Sequence, residues 1–291
     1  MPHVNDARRM EECARLLGSP LRAELRARAG GRRPIDAADP GQQEFQALLL
    51  ACLLSPHRSL SWDTKTGRSF REMHAYYSWA SPQPDRLATG WTVAARVASY
   101  LLPSAAPPEQ DGPGFAGIPG LRLARLTRPC IELAHLPTGG RLELHDNMWN
   151  DLELRASTFD TEIRDTNGMA HDGPRALWMA PEVSAEEAAG LAAEWTMAAH
   201  APVLSAVMAR IHVLWRHWDT GLRLAVNPVT GLPRLSWDRG PALASIAHLL
   251  ADPSSAICVP GTRLRHRRAG TIVLSIGGAA LEFRGPADDS S

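Results

Sequence analysis

The sequence predicts an α+β protein in two parts. An α-helical N-terminal domain occupies residues 1–103 and a Pro/Gly-rich linker 104–119; an α+β domain over 120–285 then packs a C-terminal antiparallel sheet on a kinked helix or helix pair. Three observations lead there. Apolar residues before position 104 recur at helical spacing between strong start and stop signals. From Leu121 the period changes to alternation, and residues 184–218 carry one long apolar stripe that needs a cover.

Taken in order, Asn5 or Asp6 caps a helix bearing Met10, Cys13, Ala14 and Leu17, and Gly18-Ser19-Pro20 ends it while starting the next. Gly30 and Gly31 stop that second helix. Asp39-Pro40 repeats the cap-then-proline device ahead of an apolar helix over 45–54, and helices are expected at 68–79 and 85–102, the last halted by Pro103. Prolines and glycines then crowd 104–119, the composition of a linker. Strands at 130–136 and 141–146 flank Pro137-Thr138-Gly139-Gly140 as a hairpin. With Leu136 opposite Arg141, His135 joins the apolar face of Ile131, Leu133, Leu142 and Leu144 as a core histidine, while His145 faces Glu132 on the other side.

Ser184 and Glu187 have capping-box spacing, so a helix starts there. Its stripe runs through Leu191 and Trp195 to Ile211, Trp215 and Trp218, and Pro202 bends or splits it. A second hairpin follows at 221–227 and 232–238, then a short helix at 241–251. Strands at 271–276 and 279–283 turn at Gly277-Gly278, and 286–291 forms a disordered tail.

Bulk numbers exclude several classes. Hydrophobic content of 44% and charged content of 21% describe a globular chain, and the longest apolar run, 47–54, is far short of the roughly 18 residues of a membrane span. Cys13, Cys52, Cys130 and Cys258 show no paired spacing, which points to reduced thiols and a cytoplasmic protein. Net charge is +0, so no global field recruits nucleic acid or membrane. Nine tryptophans against three tyrosines, like the excess of arginine over the single Lys65, fit a GC-rich coding bias.

Several short patterns bear on chemistry. Residues 17–25, Leu-Gly-Ser-Pro-Leu-Arg-Ala-Glu-Leu, resemble the opening helix of winged-helix repressors of the arsenic-sensor type; a polar recognition helix should follow, whereas Arg32-Arg33-Pro34 leads into an apolar one. Asp63 and Lys65 resemble the second half of the metal-and-lysine site of restriction-type nucleases. That implies magnesium on Asp63 and charge stabilisation by Lys65, but the first half of the site has no counterpart on a neighbouring strand; an exposed turn is the simpler account. Residues 145–172 gather Asp146, Asp151, Glu153, Asp160, Glu162, Asp165 and Asp172 with His145 and His171, groups able to hold a divalent cation or exchange protons. The dyads His145-Asp146 and His171-Asp172 resemble the metal signature of HD-type phosphohydrolases, although that family carries its dyad on a helix. Arg210 and His217 resemble the catalytic motif of HEPN ribonucleases. Arg263, Arg265, His266, Arg267 and Arg268 form a basic run that grips phosphates or keeps an edge strand soluble.

Two functional classes follow. The first is a cytoplasmic, non-catalytic binding or assembly protein that recognises a protein partner or a nucleic-acid backbone, with the 263–268 arginines and exposed tryptophans as contacts. The alternative is a divalent-metal-dependent phosphodiester hydrolase using Asp146, Asp151 and Asp165 with His145 or His171; a HEPN-like ribonuclease using Arg210 and His217 is a third, minor reading.

Overall fold

The computed structural model describes residues 36–54, 77–83, 85–91, 94–105, 115–127, 130–146, 177–194, 197–215, 220–268 and 270–286. The helices expected before residue 31 and the tail after 286 lie outside them.

Asp39 and Pro40 start the first described helix, α1 (Pro40–Leu54), as their order implies: the Asp39 carboxylate accepts the Gln42 amide at 2.8 Å, and proline stands in the first turn, where no amide donor is needed. There follow β1 (Tyr77–Pro82), β2 (Leu87–Trp91), α2 (Ala94–Leu101), the short β3 (Ser104–Ala105) and β4 (Phe115–Ala116), β5 (Leu121–Thr127), β6 (Cys130–His135) and β7 (Arg141–Asp146). The remainder is α3 (Ala185–Glu194), α4 (Ala201–Met208), α5 (Ile211–Leu214), β8 (Arg223–Val226), β9 (Pro233–Ser236), α6 (Leu243–Ala251), β10 (Thr262–Arg268), β11 (Thr271–Ile276) and β12 (Ala279–Arg284). Mixed helices and two five-stranded sheets make the architecture α+β.

The two sheets are built alike. The first has the order β1-β2-β7-β6-β5 and the second β8-β9-β12-β11-β10. In each, an antiparallel hairpin is followed by a helix and a three-stranded meander, and the last strand of the meander lies parallel to the second strand of the hairpin. The register matches residue by residue: Leu133 faces Leu142 as Leu274 faces Leu281, and Ala88 faces Glu143 as Arg234 faces Glu282. Leu142-Glu143-Leu144-His145 thus answers Leu281-Glu282-Phe283-Arg284.

Helix α2 covers β2, β6 and β7, while α4 and α6 cover the inner face of the second sheet. The helices α1 and α4 pack on each other, and the Ser205 hydroxyl donates to Gln46 Oε1 at 2.5 Å across that contact. One cluster of buried side chains includes Leu133, Leu142 and Leu144 of the first sheet and Leu274, Leu281 and Phe283 of the second. Each such side chain contributes about 1.5–3 kcal/mol on removal from water.

The expected capping box forms. Ser184 Oγ accepts the Glu187 amide at 3.1 Å and Glu187 Oε2 accepts the Ser184 amide at 3.0 Å. That same carboxylate is buried and receives two bonds of 2.8 Å from Arg122 on β5 plus the Gly120 amide at 2.8 Å, so the helix start is tied to the first sheet. Burial opposes its charge, but Arg122 and the two amides outweigh burial and hold the carboxyl below its ordinary range. The apolar rod divides as Pro202 implies, into α3, a 3-10 turn at Ala198–His200 and α4, with Ile211 and Trp215 buried.

Three expectations are corrected. Residues 77–91 form a hairpin rather than parts of helices at 68–79 and 85–102, so the front region is not all-helical. Pro82 and Asp85 mark the turn, Gly90 would weaken a helix by about 1 kcal/mol, and β2 is paired on both sides. The 104–119 stretch supplies the small β3–β4 pair, and β1 and β2 ahead of it share a sheet with β5, β6 and β7 beyond it. The sheet of the rear region contains a parallel pair, β9 with β12, and is therefore mixed rather than antiparallel.

Candidate functional site

The inner face of the second sheet is apolar, so alternation sends the intervening residues outward. Leu264 packs toward the core while Arg263 and Arg265 are exposed on β10, the edge strand. Pairing carries their face across the sheet through Ser275 and Val273, Ala280 and Glu282, then Arg234 and Ser236, to Arg223 and Ala225; Arg284, opposite Ser236, belongs to it too. Five arginines therefore share one surface. Arg234 bonds the buried Glu282 at 2.9 Å, where Asn227 Nδ2 also donates at 2.6 Å, and Arg223 pairs with Asp238. Arg263, Arg265 and Arg284 are exposed and make no ion pair among the described residues. The backbone of His266, Arg267 and Arg268 continues β10, with Arg268 paired to Thr271 across a bulge.

The outer face of the first sheet is different. Cys130 lies opposite His145, and Glu143 precedes His145 by two positions on the same face. One donor atom from each of Cys130, Glu143 and His145 lies within 4.8 Å of the other two. His145 Nε2 stands 3.3 Å from Glu143 Oε2, while Arg86 Nε holds Oε1 of the same carboxylate at 2.9 Å. The Trp79 ring rests against the imidazole with centroids 5.3 Å apart. Gly90 makes that possible, since a Cβ there would fall 1.9 Å from Trp79 Nε1. Burial, then the charges of Glu143 and Glu132, push the Cys130 thiol up to about 12; the hydrogen bond from His145 and the charge of Arg86 hold Glu143 below its ordinary range despite part burial.

This cluster depends on a correction to the register. Ala134, not Leu136, faces Arg141, a shift of two residues that keeps every side chain on its expected face but gives His145 the partner Cys130 in place of Glu132. The hairpin closes earlier than expected, with the His135 amide on the Gly140 carbonyl at 2.9 Å. Of the two turn glycines only Gly139 has positive φ; Gly140, just ahead of β7, is backed against Phe45, whose Cβ would meet an added Cβ at 2.4 Å.

His135 is the core histidine that its face implies. It is buried and stacked on Phe45, with Nε2 3.0 Å from the Pro119 carbonyl and Nδ1 2.9 Å from Thr138 Oγ1. Arg210 is 1% exposed, and its guanidinium bonds Asp36 and the carbonyls of Ala206, Ile257 and Cys258, which makes it a tie between segments. Trp79, Trp91, Trp215 and Trp237 are buried, so these four supply no exposed contact. Of Asp146 only the backbone is described, paired with Trp91 at the end of β7. Asp63, Lys65, Asp151, Asp165, His171, Asp172 and His217 lie outside the described residues. Sequence reasoning missed Cys130 and Glu143 as partners of His145, and Arg223, Arg234 and Arg284 as neighbours of the basic run.

No helix among the described residues is long and apolar enough to cross a membrane. No protein-family model, curated protein or solved structure matches the chain.

Proposed function

We propose that the protein is a non-catalytic, cytoplasmic binding protein that recognises a nucleic-acid backbone through the outer face of its second sheet. The observation that carries this reading is the exposure of Arg263, Arg265 and Arg284 on one sheet surface without ion pairs among the described residues. Guanidinium matches phosphate geometrically and electrostatically, and alternate residues of a strand present it at intervals of about 6.6 Å. Protein interfaces centre on an exposed apolar or aromatic anchor, whereas the arginines here are separated by Ser236, Ser275, Thr271, Ala225 and Ala280, and Val273 on the same face is buried. Glu282 and Asp238 are both engaged by arginines, which favours binding over hydrolysis on this face. Among the described residues Cys52, Cys130 and Cys258 form no disulfide, which suits a reducing compartment.

The test is the fluorescence anisotropy of a labelled mixed-sequence oligonucleotide titrated with the full chain. Three phosphate contacts predict a loss of affinity of roughly 40-fold between about 50 and 200 mM salt. Combined Arg263→Ala, Arg265→Ala and Arg284→Ala substitutions should reduce the logarithmic salt slope by about one per arginine. Absent or salt-independent binding, or a slope the triple variant leaves unchanged, would refute the reading. An acidic polypeptide that competes as well as the oligonucleotide would reassign the surface to a protein partner.

A further inference from the structure

We infer that Cys130, Glu143 and His145 form a binding centre for a zinc-class transition-metal ion, a site separate from the basic face. A thiolate, an imidazole and a carboxylate are the three donor types zinc accepts, at about 2.3, 2.0 and 2.0–2.2 Å, so the donors of a tetrahedral site lie roughly 3.5 Å apart. Here they stand within 4.8 Å before any ion draws them together. The soft sulfur selects against magnesium and calcium, which take oxygen donors. Three protein ligands leave a fourth place for water or a ligand atom.

The surroundings suit a fixed site. All three donors sit on paired strands, Cys130 on β6 and the other two on β7, so the backbone holds their separation. Trp79 limits the swing of the His145 ring. Arg86 occupies Glu143 Oε1 and leaves Oε2, the oxygen facing His145, for the ion, which fixes the carboxylate as an outer partner does in known metal sites.

The second sheet provides an internal control on the same backbone. The positions matching Cys130, Glu143 and His145 are Thr271, Glu282 and Arg284. The glutamate and an arginine partner occur in both sheets, so they are explained by sheet packing. The thiol and the imidazole occur only in the first, opposite each other.

Titration of the full chain with cobalt(II) and then zinc(II) tests the inference. One ion per chain is expected, with a thiolate-to-cobalt charge-transfer band that zinc displaces. Cys130→Ser should abolish that band, and His145→Gln and Glu143→Gln should each weaken zinc binding by more than about tenfold, while Cys258→Ala changes neither. Circular dichroism verifies that each variant is folded; if Cys130→Ser is not, the two conservative variants on β7 decide. No uptake, a cobalt spectrum lacking the sulfur band, or affinity unchanged in His145→Gln overturns the site.

Discussion

The two sheets share one plan and differ in what they put on it. Both end with a strand reading Leu-Glu followed by an apolar residue, and both hold the glutamate with an arginine, Arg86 in one and Arg234 in the other. Yet the first sheet surrounds its glutamate with Cys130, His145 and Trp79, and the second with arginines. Arg122 and Arg263 show the divergence at a single place: pairing opposite Ala134 and Ser275 makes them equivalent, but one is buried against Glu187 and the other is exposed on an edge. The lesson is that backbone pairing sets where a side chain stands, and the neighbouring layer decides whether it works as structure or as surface.

The largest effect expected from this comparison is at Arg122. Arg122→Ala strands the buried Glu187 carboxylate and should cost about 3–5 kcal/mol in denaturant unfolding. A cost under about 1 kcal/mol would break the comparison. Next comes His135, whose counterpart is Ile276. Burial lowers its pKa from 6.5 to about 4, so the unfolded chain binds the extra proton first as pH falls. Its contribution is complete above about 6.5 and is lost on acidification toward 4, on the order of 3 kcal/mol. Stability measured across that range should fall in the parent chain, and the fall should be smaller by this amount in His135→Ile. The smallest effect belongs to Arg263: Arg263→Ala should change stability by no more than about 0.5 kcal/mol, and a larger loss would show that the two arginines are structural alike.

Much of the second half was legible because its signals are local. The Ser184–Glu187 box, the Gly277-Gly278 turn and the edge-strand arginines act within a few residues of themselves. The strands at 77–91 were not, because Trp79, Ala80 and Ala88 suit a helix as well as a sheet until β7 is present to pair with β2. The Cys130–Glu143–His145 cluster turned on two residues of register, and the close packing of Gly140 against Phe45 that goes with the observed register is a contact between residues far apart in sequence. The repeated plan did leave a trace, Leu142-Glu143-Leu144 against Leu281-Glu282-Phe283, but it is too short to stand out in a chain rich in leucine. Burial of Trp91 and Trp215 at 0% exposure likewise depends on partners far away in sequence.

In each sheet the strand made last stands in the middle: β7 between β2 and β6, β12 between β9 and β11. It acts as a keystone. A nascent chain holding everything up to Ile276 has a hairpin and a β-ribbon with nothing to join them, and their bare rims are open to wrong partners. The interval before residues 279–284 emerge is therefore when this chain is most exposed to misassembly during synthesis, and cutting away that short segment should dismantle the sheet at its centre rather than trim its margin.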